Sequence, residues 1–206
     1  MTGVADDVQR LRSFVAVPLP AEVQQQVLGA ARRLATDLPD VKWSAKVENL
    51  HVTVRFLGDV AMSLLPALAQ ALVDASAAHP AFPIALRGFG AFPDARRANT
   101  LWVGVEDGEG HLGRVVESVE GAFERLGVAR EKRPFHPHVT VGRCKGGVDA
   151  RRVLDGWRGH HFGTVAVTAL HLYESRLGGG GSTYVLRGRA PLAQGATVPR
   201  AAATPL

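Results

Sequence analysis

The tetrapeptide His-Val-Thr-Val occurs twice in this chain, as His51-Val52-Thr53-Val54 and as His138-Val139-Thr140-Val141. In an extended strand side chains alternate, so the His and Thr of each copy project from one face about 7 Å apart and the two valines from the other. The valine face can enter a core. The imidazole and hydroxyl face must meet solvent or a cleft, because burying those groups without hydrogen bonds is costly. Two copies facing one another would surround a single cavity with two imidazoles and two hydroxyls. Imidazole titrates near pH 6.5, so one ring can take a proton while the other, protonated, gives one. Such a pair runs a proton-in, proton-out reaction without metal, and a threonine hydroxyl reaches a phosphoryl oxygen as a donor. His51 and His138 are therefore candidate acid–base residues, and Thr53 and Thr140 candidate anion donors.

Arg143 lies five residues after His138 and three after Thr140. Both offsets are odd, so an ideal strand would aim its guanidinium away from the His/Thr face. A bulge or strand end at Gly142 is needed to turn it inward, where it would add charge for an oxyanion at phosphorus. The remaining histidines, His79, His111, His136, His160, His161 and His171, fit no repeat. His136, close to the second motif, has two readings, a place in the lining of the cleft and, preferred, a surface position beside it. No carboxylate or cysteine is spaced beside His160 and His161 as a ligand set, so neither a metal nor another cofactor is expected.

The chain has 206 residues, 46% hydrophobic and 21% charged, enough for a sizeable core and short of the profile of a disordered chain. That length admits one large fold or two small lobes. No apolar run reaches the 18 or so residues of a bilayer span; the stretch from Met62 to Ala78 is broken by Pro66, Gln70, Asp74 and Ser76. A soluble protein without a membrane partner is expected. The acidic N-terminal stretch does not read as a secretory signal, and the single cysteine, Cys144, fits a reducing cytoplasm. Lys plus Arg number 24 against 19 Asp plus Glu. Seven basic residues against two acidic ones fall between Arg130 and Arg152, which equals the excess of the whole chain and suits a bound anion such as a phosphate or a nucleic-acid backbone.

The elements that must position the motifs follow from periodicity. Arg12 to Leu19 reads as a strand, and Val23, Val27, Ala30, Ala31 and Leu34 then recur at helical spacing. Val41 to Ala45 and Leu50 to Leu57 read as strands, and about Met62 to His79 as a helix with Pro66 in its first turn. Phe82 to Phe92 and Thr100 to Val105 read as an antiparallel pair. Gly110 to Leu126 carries one apolar helical face capped by Gly127, Pro137 to Arg143 is a strand, and Asp149 to Trp157 a short helix. Thr164 to Ser175 and Ser182 to Arg189 are strands separated by the Gly178 to Gly181 run, a hairpin or a longer loop. Each half thus offers strands, a helix and one motif, with no linker between, which implies one bilobal domain over residues 1–192 and a frayed tail over 193–206.

Several strings together extend the motifs: RSFVAVPLP at Arg12, ENLHVTVRFLGD at Glu48, RPFHPHVTVGR at Arg133, LHLYESRL at Leu170 and STYVLRG at Ser182. Over about Leu11 to Pro191 the chain resembles the 2H phosphoesterases, and more closely the bacterial and archaeal RNA 2′,3′-cyclic phosphodiesterases, also described as 2′-5′ RNA ligases. Lys42-Trp43 stands where an Arg-Trp is common. The resemblance implies an α+β fold of two lobes related by an approximate two-fold axis, each with an antiparallel sheet, the motifs lining a central groove. It implies hydrolysis of a 2′,3′-cyclic phosphate to a 2′-phosphate, on RNA ends or a small cyclic nucleotide, and ligation in reverse. By the same resemblance His138 activates water, His51 protonates the leaving 3′-oxygen, Thr53, Thr140 and Arg143 hold phosphoryl oxygens, and Phe14 and Tyr184 line a nucleotide pocket. A monomer is expected. Other cyclic phosphates, 2′-5′ oligonucleotides, and a non-catalytic RNA-end binding module are the alternative readings.

Overall fold

The computed structural model describes residues 9–44, 46–178 and 181–194. Among these residues the strands are β1 (Arg10–Pro18), β2 (Lys42–Trp43), β3 (His51–Ala61), β4 (Phe82–Phe92), β5 (Ala98–Glu106), β6 (His138–Val148), β7 (His161–Val167), β8 (Ala169–Gly178) and β9 (Gly181–Pro191). The α-helices are α1 (Ala21–Asp37), α2 (Leu65–Ala77), α3 (His111–Glu124) and α4 (Arg151–Asp155). One sheet runs β3-β1-β8-β9 and the other β2-β6-β5-β4-β7, each antiparallel throughout. This is the expected α+β class.

The two sheets do not correspond to the two halves of the sequence, which corrects the expectation that each half builds its own lobe. β8 and β9, from the end of the chain, complete the sheet of β1, while β2, from the first half, pairs with β6. The reason lies in β1. Its residues Val15, Ala16 and Val17 are fully buried, so its backbone needs a partner on both edges; β3 supplies one and β8 the other. A second correction follows. The expected strand Thr164 to Ser175 is two strands in different sheets, β7 and β8, divided at Thr168, whose carbonyl accepts Leu192 N–H. Val165 and Val167 are buried on one parity and Leu170 and Leu172 on the other, so the apolar alternation changes phase where the chain changes sheets.

α1 buries Val23, Val27, Ala30, Ala31 and Leu34 and packs on β7; α2 lies against β9 and α3. Pro66 sits in the first turn of α2, where its missing N–H costs nothing. Gly178 pairs with Gly181, so β8 and β9 form a hairpin whose connecting residues 179–180 lie outside the described residues. Ala193 is held by hydrogen bonds to His79 and Ala81, so backbone pairing runs one residue past the expected tail boundary; residues 195–206 lie outside the described residues.

Both motif strands carry a bulge at the same place. On β3, Ala16 pairs with Thr53 and Val15 with Arg55, leaving Val54 as the extra residue. On β6, Trp102 pairs with Thr140 and Leu101 with Gly142, leaving Val141 extra. Two consecutive residues therefore turn inward, and the next, Phe56 or Arg143, returns to the His/Thr face. The inward turn needed for Arg143 is thus present, with the extra residue one position before Gly142. Gly142 itself is required by the approach of β2: a Cβ there would stand 2.6 Å from Val41 Cγ1 and 3.2 Å from the Trp43 ring. Gly142→Ala is expected to destabilise by about 1–3 kcal/mol by pushing β2 off β6. Gly146→Ala, which meets nothing within 4 Å, should stay within about 0.5 kcal/mol. Urea denaturation of the two variants measures the difference.

Candidate active site

The four motif valines are nearly inaccessible while His51, Thr53, His138 and Thr140 are partly open, so the two-faced strand expected from the alternation is what forms. β3 and β6 face one another across the space between the sheets. Two cavities of about 660 Å³ each open there and share a wall of Thr53, Phe56, Arg133, Thr140 and Arg143. His138 lines one cavity and His51 the other.

Each imidazole is oriented in the same way. His51 Nδ1 lies 2.7 Å from the carbonyl oxygen of Asn49, and His138 Nδ1 lies 2.7 Å from that of His136. A carbonyl can only accept, so Nδ1 carries the hydrogen in both rings and Nε2 is left as the lone-pair nitrogen of the neutral form. Thr53 Oγ1, 3.1 Å from His51 Nε2, then donates to that ring. The two positioning carbonyls are themselves anchored. Asn49 ends a 3-10 turn and donates its side-chain amide to Ser182 O at 2.9 Å, and His136 precedes Pro137, which biases it to an extended backbone.

Burial lowers the pKa of His51 to about 4, against a raising effect of its hydrogen bond to Asn49 and a further lowering by the charge of His138. The charge of His138 thus reaches the His51 ring. His138 is lowered too, first by burial and then by His136 and Arg143, against its own backbone hydrogen bond. Both rings are therefore neutral at pH 7 in the unliganded protein, His51 the more firmly so.

Aromatic rings frame each histidine. Phe14 stacks on His51 with centroids 4.8 Å apart, and Tyr184 meets both edge-on at 4.9 and 5.2 Å. Phe14 is 2% exposed, so it backs the imidazole and offers little surface to a ligand, whereas half-buried Tyr184 borders the cavity. On the other side Phe92 meets His138 edge-on at 5.1 Å, and Trp102 and His136 complete the cluster. Arg143 is exposed, and its guanidinium donates to Thr100 Oγ1 at 3.3 Å.

Three functional features escaped the sequence reading. His136, expected at the surface, lines a cavity and holds His138 through its backbone. Phe56 holds the position in the first motif that Arg143 holds in the second, and it is 48% exposed at the junction of the cavities; aligning HVTVRF with HVTVGR is the signal that points to it. Arg55, turned inward by the bulge, forms a buried ion pair with Glu120 on α3 at 2.7 Å and donates to Ala129 O. Glu120 also accepts from Glu131 N–H. The pair thereby ties the first motif to the segment leading into the second. Three of the seven basic residues between Arg130 and Arg152 are paired in space: Arg130 with Glu117 and Glu124, Arg133 with Glu131, and Arg151 with Asp149.

Among the described residues no three His, Cys, Asp or Glu side chains group as a metal site, and no helix is long and apolar enough to cross a membrane. A lone bulged His-x-Thr strand defines no class; two of them, with matched imidazole tautomers on one groove between two antiparallel sheets, define a 2H phosphoesterase. The chain belongs to the 2′-5′ RNA ligase superfamily, whose family model matches residues 17–179. It is 37% identical over 140 residues to the RNA 2′,3′-cyclic phosphodiesterase of Aeropyrum pernix, covering 66% of this chain and 78% of that protein. The corresponding protein of Archaeoglobus fulgidus is 31% identical over 175 residues, 84% of this chain and 96% of its own. Among solved structures, apo LigT of Escherichia coli superposes with a TM-score of 0.74 at 28% identity, covering 90% of this chain and 99% of that one, and the same enzyme has been crystallised with 3′-AMP.

Removing one partner of the buried pair leaves a charge without a counterion. Glu120→Ala is expected to cost about 3–5 kcal/mol in denaturant unfolding. Arg55→Met combined with Glu120→Leu should recover most of that stability while leaving turnover reduced, because the segment carrying His136 loses its tether.

Proposed function

We propose that the chain hydrolyses the 2′,3′-cyclic phosphate at an RNA end or on a nucleoside to the 2′-phosphate, with His51 and His138 as its acid–base pair. The observation that carries this reading is the pair of Nε2 atoms presented in the same tautomer to one groove beside Thr53, Thr140 and Arg143. Its support from outside the chain is the cyclic phosphodiesterase activity by which relatives 31–37% identical to it are named.

In this reaction one imidazole removes a proton as water oxygen bonds to phosphorus. The bond from phosphorus to O3′ breaks, and the second imidazole gives O3′ its proton. The products are a 3′-hydroxyl and a 2′-phosphate, with the two rings exchanged in protonation. Thr53, Thr140 and Arg143 donate to the phosphoryl oxygens, where charge accumulates in the transition state. Phe14 acts through His51 by stacking, and Tyr184 and the exposed ring of Phe56 give the sugar and base an apolar border. With an RNA 5′-hydroxyl in place of water, the same displacement forms the P–O5′ bond, breaks the P–O3′ bond and leaves a 2′-5′ linkage beside a free 3′-hydroxyl, which accounts for ligation. Both motifs lie on one chain, so we infer that a monomer suffices, acting in the cytoplasm.

The free-protein electrostatics favour a proton on His138 over one on His51, which is the reverse of the polarity implied by family resemblance. A substrate with sulfur in place of bridging O3′ decides between them, because a thiolate leaves without a general acid. Each of His51→Ala and His138→Ala should lower kcat on the oxygen substrate by about 10²–10⁴-fold. The variant lacking the acid, and only that one, should regain most of its rate on the sulfur substrate. Full activity of both alanine variants on the oxygen substrate refutes the two-histidine reaction.

The pH profile follows from the lowered pKa values. The reaction needs one ring protonated and one neutral, and both rings of the free protein titrate below their ordinary 6.5, His51 at about 4. Raising pH above the upper value strips the acid, and lowering it below the lower value protonates the base. The kcat/KM for a nucleoside 2′,3′-cyclic phosphate should therefore be bell-shaped with its maximum between about 4 and 6.5.

A further inference from the structure

The two cavities that meet at the motifs differ in charge. The one beside His138 is lined by Glu117, Glu120 and Glu131 as well as by four arginines, of which all but Arg143 are matched: Arg55 by Glu120, Arg130 by Glu117 and Glu124, Arg133 by Glu131. The one beside His51 has no carboxylate in its lining but carries Arg12, Lys42 and Lys46, and shares Arg133 and Arg143. Among the described residues none of Arg12, Lys42, Lys46 and Arg143 forms an ion pair, although Asp59 is the register partner of Arg12. Lys46 instead donates to Thr183 Oγ1 at 3.1 Å.

Lys42 and Arg143 are direct cross-strand partners on β2 and β6. Like charges in that relation destabilise a sheet, and an anion lying over them relieves the repulsion. Trp43, half-buried and packed beside Gly142, also contributes to the lining of this cavity. A strand whose 3′-terminal phosphorus sits between the histidines must leave the junction through one cavity or the other. A chain of phosphodiesters would meet three carboxylates on the His138 side and uncompensated cations on the His51 side.

We propose that the cavity lined by Arg12, Lys42 and Lys46 is a track for the phosphodiester backbone of an RNA strand ending at the active site. The inference rests on the reading of the groove as a cyclic phosphodiesterase site and adds the polymeric substrate and its direction: the strand approaches past β2 and β9, and the cavity beside His138 is left to the side without backbone. Three phosphate contacts correspond to a log-log salt slope of about −2 for single strands, or about 20-fold weaker binding between 50 and 200 mM salt.

The test compares adenosine 2′,3′-cyclic phosphate, its 5′-phosphate derivative, and a hexanucleotide ending in the same cyclic phosphate. The hexanucleotide is expected to show the highest kcat/KM, and its advantage over the mononucleotide should shrink about 20-fold from 50 to 200 mM salt. In the triple variant Arg12→Gln/Lys42→Gln/Lys46→Gln the advantage and its salt dependence should both be lost. An unchanged hexanucleotide-to-mononucleotide ratio in that variant overturns the proposal. So does a 5′-phosphate derivative that already captures the whole advantage, because the cavity then reads one phosphate and not a strand. Should no substrate be turned over, the hydrolytic reading fails separately, and fluorescence anisotropy of the labelled hexanucleotide still reports the track through the same salt slope and the same variant.

Discussion

The hydrogen bond from each motif imidazole to the backbone carbonyl two residues upstream is the constraint on which the site depends. It places the proton on Nδ1, leaves Nε2 free, and removes rotamer freedom from both rings. Everything around it maintains those two carbonyls. The Asn49 amide reaches to β9, Pro137 stiffens the approach to β6, and the Arg55–Glu120 pair secures the segment before His136. The bulge that follows each His-x-Thr is the second half of the device, because it frees one inward position for structural use and returns the next to the groove.

That bulge shows how one backbone solution serves two different ends. The inward residue after the bulge is Arg55 in one strand and Gly142 in the other. The first uses the space for a buried cation that reaches α3; the second has no side chain because β2 lies against it. The outward residue is an exposed phenylalanine in one and an arginine in the other. The groove therefore carries near-symmetric chemistry at its centre and asymmetric recognition at its margins, which suits a substrate with a phosphate in the middle and unlike groups on either side.

The motif strands, the amphipathic faces of α1 and α3, and the alternation that buries Val52 and Val139 were legible because each depends on local period alone. The partition of β7 and β8 between sheets was legible in principle, through the change of apolar parity between Val167 and Leu170, and passed unread because alternation seemed unbroken. The surplus of basic residues around Arg133 was legible only in part: Arg133 and Arg143 do line the groove, whereas Glu117 and Glu124 on α3 neutralise Arg130 from outside the run, because an ion pair is made in three dimensions. Of the unpaired cations of the groove, Arg143 belongs to that run, while Arg12, Lys42 and Lys46 come from parts of the chain with no local excess.

Taken alone, the sequence determined which groups could react: two imidazoles and two hydroxyls, each pair on one strand face, with valines to carry them on a core, because side-chain alternation is a property of the strand itself. Tertiary structure decided that the rings line adjoining cavities, which nitrogen each presents, that burial lowers both pKa values, and that Arg143 faces the groove. Those depend on carbonyls, burial and strand partners contributed by distant segments, above all by β2, β8 and β9, which cross between the halves and so could not be assigned to either lobe from spacing along the chain.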